Sequence, residues 1–93
     1  MIIGSIDISL YAPFVHSLKE KRMVIKSIIS KVRNKFNVSI AEVDHQDVHQ
    51  TIVIGIVCVT NSTANANSIL NEVLNYIEYN FEANITDYNI EIF

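Results

Sequence analysis

Ile52-Val-Ile-Gly-Ile-Val-Cys-Val59 decides the fold of this chain. On a two-residue period it sets Ile52, Ile54, Ile56 and Cys58 on one side and Val53, Gly55, Val57 and Val59 on the other. A strand that is apolar on both sides belongs in the middle of a sheet, so its neighbours in the chain must supply strands to flank it. Immediately upstream, Asp44, His45, Gln46, Asp47, Val48 and His49 form a polar connection short enough for a hairpin, and Val38 to Val43 is the strand that this hairpin would pair with it.

Outside this pair the hydrophobic period changes to that of a helix. Upstream, Leu18, Ile25, Ile28, Ile29, Val32 and Phe36 recur at three- and four-residue spacing. Ser17 and Glu20 ahead of them form a capping box, with the serine hydroxyl accepting a first-turn N–H and the glutamate reaching back to the cap N–H. Downstream, Asn61 or Ser62 caps a second helix whose stripe is Ile69, Leu70, Val73, Leu74, Ile77 and Phe81. At the two ends the alternation returns. Ile2, Gly4, Ile6, Ile8 and Leu10 define a first strand closed by Pro13, and Tyr88, Ile90 and Ile92 define a last one. The order βαββαβ is the ferredoxin-like α+β motif, a four-stranded antiparallel sheet with both helices on one face. Its strand order, 4-1-3-2, makes the third strand central, as the doubly apolar pattern requires. Residues 1–93 form a single domain.

Composition narrows the function classes. The chain has 93 residues, a 49 % hydrophobic fraction, two glycines and one proline, so it is a folded single-core domain rather than a disordered tract. The stretch from Val48 to Asn71 is interrupted by polar residues and falls short of the roughly 20 apolar residues that span a bilayer. No membrane association is expected, and the first residues carry no basic leader, so a cytoplasmic location is expected. Cys58 is the lone cysteine and lies in an apolar run, which marks it as a small buried hydrophobe.

His16-Ser-Leu-Lys-Glu-Lys-Arg22 followed by Phe36-Asn-Val-Ser-Ile-Ala-Glu-Val-Asp-His-Gln-Asp47 resembles the signature of the YlxP-like family of small bacterial proteins. The resemblance continues through Gly55-Ile-Val-Cys-Val59 and Tyr88-Asn-Ile-Glu-Ile92. It implies a ferredoxin-like domain without an established activity. The family's genes commonly neighbour those of translation initiation, ribosome maturation and RNA modification, which directs attention to the ribosome.

Charge supplies the functional lead. All seven lysines and arginines lie between Lys19 and Lys35, with Glu20 the one acid among them, while the other nine of the ten acids lie elsewhere. The chain is thus a basic helix on an acidic body, with formal net charge -3. At about 100° per residue Lys19, Arg22, Lys26 and Arg33 share one flank of the apolar stripe, and Lys31 and Lys35 fall on the other. Lys19, Lys21, Arg22, Lys26 and Arg33 are the candidate anion- or RNA-binding residues, because spaced cations can follow a phosphate backbone and arginine can grip phosphate with two N–H groups. The plainer account is that an exposed flank needs solvating, helix-forming residues. An isoelectric point near 5.4 lies well below that of a dedicated nucleic-acid binder, so any such contact is expected to be local and salt-sensitive.

Two further features carry expectations. Helices cover only one side of a four-stranded sheet, so Val53, Val57 and Val59, with Ala41, Val43 and Ile3, should form an apolar outer face for a homodimer or another protein, unless Tyr11 and Phe93 cover it. That face lacks the aromatics of an RNA-recognition sheet. The topology also places His16 and the Asp44 to His49 loop at the same end of the sheet. His16, Asp44, His45, Asp47 and His49 could edge an anion site, and His45 and His49 with the loop acids invite comparison with a metal site. A turn whose aspartates bond their own backbone and pair with Lys19, Lys21 or Arg22 accounts for the same residues. There is no nucleophile motif, no glycine-rich phosphate loop and no pair of catalytic carboxylates, so no catalytic residue, metal site or cofactor is assigned.

The leading expectation is a non-catalytic domain that binds ribosomal RNA or a ribosomal particle through its first helix. The alternative is a homodimeric interaction or regulatory module that uses the apolar sheet face. A third reading makes His16, His45 and His49 the acid/base or ligand groups of a metal- or anion-dependent enzyme.

Overall fold

The computed structural model describes Met1–Phe93. Its elements are β1 (Ile2–Tyr11), α1 (Leu18–Lys35), β2 (Ser39–Asp44), β3 (Thr51–Thr60), α2 (Thr63–Asn80) and β4 (Asn84–Ile92). The sheet order is β2-β3-β1-β4, with every neighbouring pair antiparallel, so the ferredoxin-like topology expected from the periodicity is the one formed.

The two central strands carry the core. Ile6, Ile8 and Leu10 of β1 are opposite Ile56, Ile54 and Ile52 of β3, and all six are buried beneath the helices. Burying a side chain of this size is worth about 1.5–3 kcal/mol. Both helices therefore lie on the even-numbered side of β1. Gly4 on this side makes room for α2, because a Cβ there would come within 3.2 Å of the Ala66 methyl and 3.1 Å of Leu70 Cδ1. Cys58 is buried beside it.

The helices start alike. Ser17 and Ser62 both have extended backbone, and their hydroxyls accept the N–H of Glu20 and Asn65 at 3.1 and 3.0 Å. The Glu20 carboxylate differs in detail from the expected capping box: it accepts from His16 N–H at 3.0 Å, one residue before the cap. At the other end each helix stops at a phenylalanine, Phe36 and Phe81, and Tyr76 stands edge-on to both rings at centroid distances of 5.6 and 6.2 Å. No helix is long and apolar enough to cross a membrane.

β4 begins four residues earlier than its alternating tail indicates. Ile85 pairs with Leu10 while Asp87 pairs with Ser9, so Thr86 is an extra residue in the ladder. This bulge moves the inward positions from Ile85 to Tyr88, Ile90 and Ile92, and it hides the strand from a strict two-residue period. The same register turns Asp87, Asn89 and Glu91 to the open face, beside Ser9, Asp7 and Ser5.

Candidate functional site

Helix α1 presents its bases in three groups, and each has a different environment. Lys19, Arg22, Lys26 and Arg33 are exposed, and none has a carboxylate within 4.0 Å. Lys31 and Lys35 lie on the opposite flank over aromatic rings. The Lys31 ammonium is 5.4 Å from the Phe81 centroid, and that of Lys35 is 5.6 Å from Tyr76 and 5.8 Å from Phe36. The separation of these two from the ridge of four follows directly from the helical angle.

Lys21 departs from the expected set of anion-binding residues. It is 1 % exposed. Its Nζ donates to the carbonyl oxygens of His45 and Val48, at 2.5 and 2.7 Å, and lies 2.9 Å from Glu42 Oε2. That oxygen is sealed from solvent and the approach falls outside good hydrogen-bond geometry, so charge is what holds the pair. Lys21 is therefore an internal cation that ties α1 to β2 and to the β2–β3 connection, and an outside anion cannot reach it. The physical reason is its position in the stripe: it lies three residues after Leu18 and four before Ile25, on the buried side of the helix. Glu42 was not among the candidate residues. The alternation of β2 carries a signal for it, since Ala41 and Val43 on the open face put Ile40 and Glu42 under the helix, where a carboxylate needs a cation.

Arg22, Lys26 and Arg33 line one open cleft of about 440 Å³ between α1 and the edge of β2, floored by Ile25 and Ile29. Glu42 also borders this cleft, but its charge is neutralised by Lys21 from the inside. The cleft thus carries three uncompensated positive charges over an apolar floor. Arg33 reaches farthest toward the sheet, with its Nη2 donating to the Ile40 carbonyl at the β2 edge, 3.4 Å away. Such an arrangement can hold a ligand that presents several anionic oxygens along a line, and two of its three cations are guanidinium groups suited to bidentate contact.

The polar loop and the start of α1 are brought together, as expected. Ala12 N–H donates to Gln50 O at 2.8 Å, and the Gln50 amide donates to the carbonyls of Pro13 and Val15, both at 3.2 Å. His45 adopts φ 55°, with its N–H on Asp44 Oδ1 at 2.8 Å and its carbonyl accepting from Val48 N–H at 3.1 Å. These contacts are those of a turn, and His45 is in the left-handed region that asparagine, aspartate and histidine enter most readily among residues with a side chain. The side chains of His16, Asp44, His45, Asp47 and His49 are exposed. No three histidine, cysteine, aspartate or glutamate side chains converge on a point where they could hold a metal ion. The expected pairing of loop aspartates with Lys19, Lys21 or Arg22 is replaced by the bonds of Lys21 to loop carbonyls and to Glu42. The nearest charged contact of the loop is His45 Nδ1 to Asp44 Oδ2, 3.6 Å apart and largely solvated, which is worth little.

On the open sheet face Val59 is 64 % exposed, Val43 53 % and Val57 38 %, while Val53 and Ile3 are half-buried. Tyr11 and Phe93 are themselves exposed and do not seal this face.

Comparison with known proteins places the chain in a family. The uncharacterized protein YlxP of Bacillus subtilis (strain 168) is 47 % identical over 62 residues, covering 67 % of each chain. Residues 3–90 match the family model described as a protein of unknown function, DUF503. With nearly the whole βαββαβ domain inside that match, the chain belongs to the DUF503 family.

Proposed function

We propose that this protein is a non-catalytic RNA-binding accessory domain that holds a phosphate backbone in the cleft between α1 and the β2 edge. The observation that carries this reading is the ridge of four unpaired cations, three of which line one cleft, on a chain whose remaining surface is acidic. A solvated helix flank does not require that four of the six exposed bases sit on one ridge, with the other two drawn over aromatic rings. An extended polyanion fits such a row better than a small ligand does, because the cleft is open and long and has no enclosing wall. The acidic body repels RNA elsewhere and so fixes the orientation of approach. The resemblance noted above makes ribosomal RNA and ribosomal particles the first ligands to try.

Fluorescence anisotropy with labelled ribosomal RNA fragments tests the reading across a salt series. With three to four phosphates neutralised, the affinity for single strands falls with salt at a log–log slope of about -2 to -3. Arg22→Glu with Lys26→Glu, two exposed residues whose replacement leaves the core untouched, lowers affinity by at least about tenfold. Binding that is indifferent to both salt and charge reversal overturns the proposal.

A further inference from the structure

The open face of the sheet is ordered from side to side, and that order selects a partner. Beginning at the β2 edge, Arg33 stands beside a hollow over Gly55 that Ala41, Val43 and Asp7 also line. Next come the exposed valines of β2 and β3, Val43, Val57 and Val59. On the far side β1 and β4 carry Asp7, Asp87 and Glu91, with no base among them. The face therefore runs basic, apolar, acidic across its width. The strand register closes one end of it with an apolar row, because Val59 pairs with Ile3, and Ile3 exchanges backbone bonds of 3.2 and 2.8 Å with Phe93.

We propose that two copies of this chain pack open face to open face about a two-fold axis that runs parallel to the strands above β3. This proposal rests on the open sheet face and shares only Arg33 with the anion cleft. A rotation about that axis reverses the side-to-side order and keeps the position along the strands. The β3 valines of one copy, Val57 and Val59, then meet those of the other, and the β2 strand that carries Val43 lies against the other copy's β1. With strands about 4.8 Å apart, the β4 of one copy lies two spacings from the axis and so one spacing outside the other's β2, on the side from which Arg33 reaches that edge. Glu91 shares a row with Ser5, Val57 and Ser39, adjacent to the Ile40 carbonyl that Arg33 touches. Each Glu91 is thereby set against the other copy's Arg33, twice over by symmetry. The alternative face-to-face axis, perpendicular to the strands, sets Asp7, Asp87 and Glu91 against their own copies and is repulsive. With the axis above β3, three strands of each copy overlap, a face of roughly 14 by 33 Å or about 475 Å² in projection, to which each overhanging β4 adds its contact with the Arg33 flank.

Sedimentation equilibrium over a concentration series decides the matter, with circular dichroism confirming the fold of each variant. The wild-type chain is expected to have the mass of two copies, and Val59→Asp, at an exposed position, to be monomeric. Arg33→Glu and Glu91→Arg each raise the dissociation constant by about tenfold or more, and the double variant restores it. A second measurement holds even if a charge variant folds poorly: Val57→Cys, on the β3 strand that faces its own copy across the axis, is cross-linked between copies by a short bis-maleimide, while the native Cys58 is buried and takes no part. A wild-type monomer at all concentrations overturns the proposal, as does a monomer that binds a different protein on this face. So does a dimer whose charge-swapped double variant is no tighter than the single ones. Because Arg22→Glu with Lys26→Glu leaves Arg33 and Glu91 in place, loss of RNA binding and loss of the dimer are separable outcomes.

Discussion

The two helices of this domain are structural counterparts with opposite surfaces. Each has 18 residues, each is capped by a serine, and each ends at a phenylalanine, so residues 45 apart occupy equivalent positions. On the buried side the correspondence is one of packing: Ile25 with Leu70, Ile28 with Val73, Val32 with Ile77. On the ridge it fails. Lys19, Arg22, Lys26 and Arg33 correspond to Ala64, Asn67, Asn71 and Glu78. Both helices rest on the same sheet face, so the packing of the fold does not ask for cations at these positions. The difference is one of surface and not of packing. The second departure is internal: Lys21 corresponds to Ala66, and both are buried. An alanine suffices where α2 lies close over Gly4, whereas α1 places an ammonium where a loop needs to be held.

Breaking the internal difference has the largest expected effect. Lys21→Met leaves Glu42 Oε2 and two loop carbonyls without their cation, and it should lower the unfolding free energy by about 3–5 kcal/mol in urea denaturation. Adding Glu42→Leu removes the stranded carboxylate and recovers part of that loss, but not the share belonging to the carbonyls of His45 and Val48. The packing correspondence is sharpened next. Ile28→Ala should cost about 2–5 kcal/mol, and Val73→Ala, which deletes less volume at the equivalent place, a similar amount or somewhat less, read from the same denaturation curves.

The ridge can be transplanted. Giving α1 the residues of α2, through Arg22→Asn with Lys26→Asn, should reduce RNA affinity by about tenfold and change stability by no more than about 0.5 kcal/mol. The reverse exchange, Asn67→Arg with Asn71→Lys, adds the same charges away from the β2 edge. If the cleft is the site, anisotropy shows little gain from it; an equal gain would mean that net charge alone governs binding. Smallest are the caps. Ser17→Ala and Ser62→Ala should each cost about 1 kcal/mol, with Ser17 the costlier, because Glu20 also satisfies the His16 N–H in the same turn.

The helical and strand periods are legible in this sequence wherever one face is apolar and unbroken, and the doubly apolar β3 fixes the strand order. Three features are not legible on that basis. Lys21 reads as one of seven bases when charge is counted, although by spacing it belongs to the stripe of Leu18, Ile25, Ile28 and Val32; its partners, two carbonyls and a strand glutamate, leave no motif. The first half of β4 is bounded by Asn84 and Asp87, residues that strands disfavour, and the bulge at Thr86 cancels its alternation. Without that register the acids Asp87 and Glu91 cannot be set beside Asp7, so the acidic half of the open face emerges only from the paired strands. The ridge itself was readable, since an angle of 100° per residue is all it requires.

The burial of Lys21 also gives the folded protein an internal clock. Four of its five lysines are exposed to an amine-reactive reagent, and the fifth is not. Its amine becomes available only when the β2–β3 connection lifts off the end of α1, so the slow appearance of that one acylated residue in mass spectrometry measures how often this corner opens. A ligand that bridges α1 and β2 will slow that modification without touching Lys21, and the site can then be followed in unlabelled protein.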